Sequence, residues 1–195
     1  MSSHREKMTV TRDLAVIATF TALSVGSDLA LTDFPNVKLV DPIVFAVAFV
    51  FGLQTGVYVG VLSELIWGTI SPYGFGGYII PFLVAGEVLF ALAGWGASRI
   101  WREGGARLSA RNFYLGAVLA LCAFLWDLET NAGTALLAFW PSISFQNLIT
   151  TEVFGLPFMV AHEVSDLVTG ATLAPLIIFY ASRVAKPRKL PLVRS

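Results

Sequence analysis

The chain has 195 residues, of which 56% are hydrophobic before its 17 glycines are counted, against roughly 45 to 50% with glycine included in a soluble domain. Charged residues make up 13%, about half the usual quarter, and mean hydropathy is +0.73, which excludes disordered, collagen-like and nucleic-acid-binding classes. Thirteen basic and thirteen acidic residues cancel, so the information lies in where each sign falls, and the single cysteine, Cys122, precludes any intramolecular disulfide.

The first apolar run, 14–31, is long enough to span a bilayer, which takes about 17 to 25 residues. It exceeds the usual signal-peptide core and is interrupted by Thr21, Ser24 and Asp28, so it is expected to remain as helix one. At 100° per residue Ala15, Ala18 and Ala22 share one face and the three polar residues another. After an outer loop at 32–40, Asp41-Pro42 reads as a helix start, with Asp41 as N-cap and proline in the first turn. The following 42–70 stretch is too long for one span and short for two. Gly-Leu-Gln-Thr-Gly at 52–56 is its one flexible point and predicts two short helices meeting there, with Gly52, Gly56 and Gly60 used for internal packing. Further spans are predicted at 78–98, 113–139 and 154–181, separated by loops at 71–77, 99–111 and 140–151.

Basic residues choose the topology, because Lys and Arg in short loops stay cytoplasmic. With six spans, Arg5, Lys7 and Arg12, then Arg99, Arg102, Arg107 and Arg111, then Arg183, Lys186, Arg188, Lys189 and Arg194 all fall inside, leaving Lys38 alone outside. An all-α integral membrane protein is therefore expected, with six transmembrane helices and both ends in the cytoplasm. Residues 1–12 form the cytoplasmic N-terminus, 13–183 the bundle and 184–195 a basic tail.

Ten of the thirteen acidic residues fall in spans or outer loops, with no Lys or Arg inside the predicted hydrocarbon region to answer them. Buried carboxylates without a partner are costly, so a proton, a metal ion, a cationic solute or cavity water must compensate. Asp28 and Glu64 lie toward the outer helix ends. Glu87, Asp127, His162 and Asp166 lie nearer the middle, and Asp127, Thr130, Asn131 and Thr134 share a helical face while Glu129 points elsewhere. Trp67, Tyr73, Tyr78 and Trp126 accompany them, and Trp140 reads equally as an interfacial belt. Rings beside carboxylates suit a positively charged heterocycle of the thiamine or aminopyrimidine kind.

Several segments carry a likeness: Thr-Arg-Asp-Leu-Ala and Ala-Thr-Phe-Thr-Ala (18–22) in helix one, Phe-Pro-Asn-Val-Lys-Leu after it, Phe-Gly-Leu-Gln-Thr-Gly-Val-Tyr-Val-Gly (51–60), and a fourth helix centred on Gly86. Over residues 11–183 the chain resembles the substrate-binding S component of energy-coupling factor (ECF) vitamin transporters. The resemblance implies a six-helix protein of the plasma membrane, surrounded by lipid, that binds a small molecule near its outer face. It further implies a transmembrane T component docking on the small-residue face of helix one (Ala15, Ala18 and Ala22) and two ATPase subunits. No phosphate-binding GxxxxGK[ST] loop occurs in the chain, which fits energy supplied by partners.

The site expected from sequence thus comprises Asp28, Glu64, Trp67, Tyr73, Tyr78, Glu87, Trp126, Asp127, Asn131, His162 and Asp166, with no cofactor, no resident metal, no enzymatic activity and no nucleic-acid partner. Two alternatives compete. His162-Glu163-Val164-Ser165-Asp166 is one residue from the HExxH zinc-hydrolase pattern, which makes an intramembrane metallohydrolase the runner-up. A divalent-metal uptake subunit is the third reading, against which stands a start, Met-Ser-Ser-His, unlike the metal-chelating segment expected of such importers. A His162 simply hydrogen-bonded to Asp166 needs neither.

Overall fold

The computed structural model describes residues 2–101 and 110–185. It is all-helical, 87% helix with no strand among the described residues. Six α-helices follow in order: α1 (Ser2–Ala30), α2 (Val40–Phe51), α3 (Leu53–Ile70), α4 (Ile80–Ile100), α5 (Ala110–Phe139) and α6 (Phe145–Ala185), with a single 3-10 turn at Gly77–Ile79 ahead of α4. Four of them are long and apolar enough to cross a membrane, over Thr11–Ala30, Gly77–Ile100, Ala110–Phe139 and Phe145–Ala185. Large apolar side chains such as Leu23, Leu62, Leu121, Phe154 and Val164 face outward, whereas Asp28, Asp41, Glu64, Glu87, Asp127, His162 and Asp166 are buried. Apolar residues outside and ionisable groups inside are the distribution a lipid solvent imposes.

The centre is α2. Its Val40–Ala48 stretch is buried on every side, packed against α3, α4 and α6, as expected of a helix apolar all round. At 1.5 Å per residue its 12 residues reach only about 18 Å, short of the roughly 30 Å hydrocarbon core. Gly52 ends it at φ 98°, a conformation that only glycine adopts without strain. Beyond this break, a methyl group added at Gly56 would meet Ala48, and one at Gly60 would approach Val44. Those contacts lie symmetrically about Gly52, so α2 and α3 run antiparallel; Gly56 and Gly60 serve internal packing, as expected, whereas Gly52 packs against nothing and serves the turn.

Three boundaries differ from expectation. Residues 2–12 continue α1 rather than standing apart as a tail. α6 starts at Phe145, nine residues early, because Ser144 and Asn147 form a reciprocal cap: Asn147 Oδ1 accepts from the Ser144 N–H at 2.9 Å and Ser144 Oγ from the Asn147 N–H at 3.2 Å. Its 41 residues, with Pro157 and Pro175 inside, extend about 61 Å. Asp41 is not a cap. Leu39 holds the N-cap position without a side-chain bond, and Asp28 Oδ1 from α1 accepts the Leu39 N–H at 3.0 Å. Arg102, Glu103, Arg107 and the basic tail from 186 onward lie outside the described residues.

Helix α1 shows the two expected faces. Thr21, Ser24 and Asp28 are buried, while Ala15, Ala18 and Ala22 are exposed. Ala18 and Ala22 line an apolar groove of about 510 Å³ with Thr21, Val25, Gly26 and Leu29 of α1 and Leu62 and Ile66 of α3.

Candidate functional site

The loop joining α1 to α2 (31–39) and the loop before the 3-10 turn (71–76) meet at one end of the bundle, where the Tyr73 hydroxyl donates to the Thr32 carbonyl. Beneath that contact lies a cavity of about 190 Å³, walled by Asp28 of α1, Glu64 and Trp67 of α3, Trp126 of α5, and Asn36 and Lys38 of the first loop. Tyr73 also meets Trp67 edge to face, with ring centroids 6.3 Å apart. The Trp126 indole is held by a bond from Nε1 to the Leu83 carbonyl at 3.3 Å, and by Gly86, whose missing side chain leaves the space the indole fills.

Lys38 overturns one expectation. No base is expected among the acids, but from the first loop Lys38 turns inward, and its Nζ sits 3.4 Å from the centroid of the Trp126 ring. The acidic cavity therefore contains a base. Burial disfavours the Lys38 ammonium, but Asp41, Glu64, Glu87 and Asp127 around it outweigh that cost and hold its pKa above the ordinary lysine value of 10.5. Any stabilisation from this raised pKa is fully present below 10.5 and fades only as pH climbs through the higher folded value, so it persists throughout the physiological range.

Below the cavity is a second layer. His162 of α6 is fully buried and bridges two carboxylates, with Nδ1 3.0 Å from Asp127 Oδ2 and Nε2 2.9 Å from Asp41 Oδ2. Asn36, at φ 60° in the left-handed region that asparagine tolerates, joins the layers: its Nδ2 donates to Asp127 Oδ1 at 3.3 Å and to the Phe158 carbonyl at 3.1 Å. The Trp126 ring that carries Lys38 also meets His162 edge to face, with centroids 5.3 Å apart. Asp166 lies close by, both its oxygens without a hydrogen-bond partner, as are both Glu87 oxygens and Oδ1 of Asp41.

No family model, curated protein or solved structure matches this chain.

Of the residues expected from sequence, Asp28, Glu64, Trp67, Tyr73 and Trp126 line the cavity, and Glu87, Asp127, His162 and Asp166 form the layer beneath. Two do not converge there. Tyr78 is 85% exposed, and Asn131 donates to Glu152 at 3.0 Å, apart from the cavity wall. The expected pairing of His162 with Asp166 is replaced by bonds to Asp41 and Asp127. Glu163, the base a zinc hydrolase would need, is partly exposed and stands outside the buried cluster. Asn36, Lys38 and Asp41 are members that sequence reading missed. Lys38 had a signal, being the lone cation on the acid-rich side.

Proposed function

We propose that this protein is the substrate-binding membrane subunit of an ECF-type importer, with six helices in the plasma membrane, the short α2 buried among the others, and both ends cytoplasmic. It captures a small cationic heterocycle from outside and passes it on with a T component and two ATPase subunits. The observation that carries this reading is the seat of Lys38: an ammonium already rests on Trp126, ringed by carboxylates, which is the arrangement that would hold a positively charged ring. Lys38 then acts as a tethered stand-in that the solute displaces. A volume of about 190 Å³ is below the roughly 300 to 1,000 Å³ of drug-sized pockets, which favours a single-ring, aminopyrimidine-like solute.

The antiparallel turn at Gly52 supports the topology, because a hairpin of α2 and α3 returns the chain to the side it left, whatever depth the short α2 reaches. A membrane-impermeant thiol reagent is expected to label Asp33→Cys on intact cells, and to label Arg99→Cys only after the cells are opened. The reverse pattern would contradict the orientation. Cys122 is buried and contributes little background.

The groove over Ala18 and Ala22 supports the partner, since small residues at four-residue spacing admit close helix approach in lipid. Ala18→Leu with Ala22→Leu is expected to abolish co-purification with a T component while leaving solute affinity within about twofold, because both side chains point away from Asp28. Loss of solute binding with intact assembly would reverse the assignment of faces.

A further inference from the structure

The layer beneath the cavity presents a separate chemical problem. Both imidazole nitrogens of His162 face carboxylates, and one proton on the ring satisfies only one of those contacts. If Nδ1 carries it, donating to Asp127, then the Nε2 lone pair and Asp41 Oδ2 face each other at 2.9 Å, and a second proton or a metal ion must answer them. A second ring proton would serve Asp41 Oδ2 alone. It would leave Asp166, fully buried with both oxygens unpartnered, unanswered.

We propose that Asp41, Asp166 and Nε2 of His162 bind a divalent first-row transition-metal ion of the zinc type. One donor atom from each already lies within 4.8 Å of the others, and Zn–O and Zn–N bonds of about 2.0 to 2.2 Å bring tetrahedral donors to about 3.3 Å, a change that side-chain rotation supplies. The donor set of one imidazole and carboxylate oxygens suits borderline divalent ions, and two carboxylates neutralise the 2+ charge in a site closed to water. Asp127 provides the supporting contact that metal-bound histidines usually have, accepting the Nδ1 proton and fixing which nitrogen faces the metal. Glu87, also fully buried and beside Asp41, is a candidate for a fourth oxygen ligand. The three donors come from α2 and α6, so the ion would join the central helix to the longest one. The inference is independent of what the outer cavity accepts.

The test is metal content and coordination of the full-length protein, purified in mild detergent through a tag without histidine, stripped with chelator and reloaded with Zn²⁺ or Co²⁺. One tightly held equivalent per chain is expected, with a visible Co²⁺ spectrum and a raised unfolding temperature on adding Zn²⁺. Asp166→Asn should lower occupancy at least tenfold, while Glu163→Gln and His4→Ala keep the full equivalent. If Asp166→Asn fails to fold, X-ray absorption on the wild-type zinc protein decides, with one imidazole and otherwise oxygen ligands expected. Less than a tenth of an equivalent after reloading, full retention by a folded Asp166→Asn, or sulfur in the first coordination sphere would overturn the proposal and leave a proton-filled network.

Discussion

Replacing His162 with leucine is expected to destabilise the bundle by about 3 to 5 kcal/mol, the usual cost of leaving a buried carboxylate without its partner. His162 is fully buried between Asp41 and Asp127, and its loss leaves the Asp41 carboxylate without this partner and Asp127 with Asn36 alone. Leucine fills much of the ring volume, so the cavity term is small and the loss is mainly electrostatic. The bonds lost link α2, α5 and α6, the first of which is the helix around which the others pack. Unfolding of the purified protein in mixed micelles measures this directly. Glu163→Gln, one position along and partly exposed, should change stability by no more than about 0.5 kcal/mol. Equal effects at the two positions would show that the buried bridge contributes nothing special.

Lys38→Met is expected to strengthen binding of a cationic ring by up to about 30-fold, corresponding to the roughly 0.5 to 2 kcal/mol of a cation resting on an aromatic face. On the proposed function, a solute reaching the wild-type cavity must first lift the ammonium from Trp126. Methionine keeps the apolar stem of the side chain but removes that competitor and leaves Asp28 and Glu64 to act on the solute alone. Titration of both proteins with the same aminopyrimidinium compound reads the difference. Loss of binding in Lys38→Met would mean instead that the ammonium contacts an anionic group of the solute.

What the sequence makes legible follows from periodicity. Asp28, Thr21 and Ser24 share a helical face, so burial of one predicts burial of all three, and the opposed alanines emerge from the same calculation. Asp127 and His162 are recognisable as interior because an ionisable group amid a long apolar run has nowhere else to go. Loops carry no such period, and that is why the inward turn of Lys38 and the reach of Asn36 to Asp127 escape a one-dimensional reading. Asp41 fails for another reason. Aspartate before proline at a helix start is sound capping chemistry locally, but its carboxylate has a stronger claimant in His162, 121 residues away, and the long-range pair wins. The early start of α6 is hidden because asparagine replaces the glutamate or glutamine usual at the third position of a capping box.

The most direct measurement is calorimetric titration of the purified wild-type protein with three sets of small heterocycles: cationic, neutral and carboxylate-bearing. Saturable one-to-one binding confined to cationic rings is expected. Glu64→Gln should weaken it by about 1 to 3 kcal/mol, the loss typical of a charge-assisted contact, because Glu64 and Asp28 are the carboxylates lining the cavity itself. Tight binding of a carboxylate-bearing ring, unchanged by Glu64→Gln, would contradict the assignment of the cavity as a cation site.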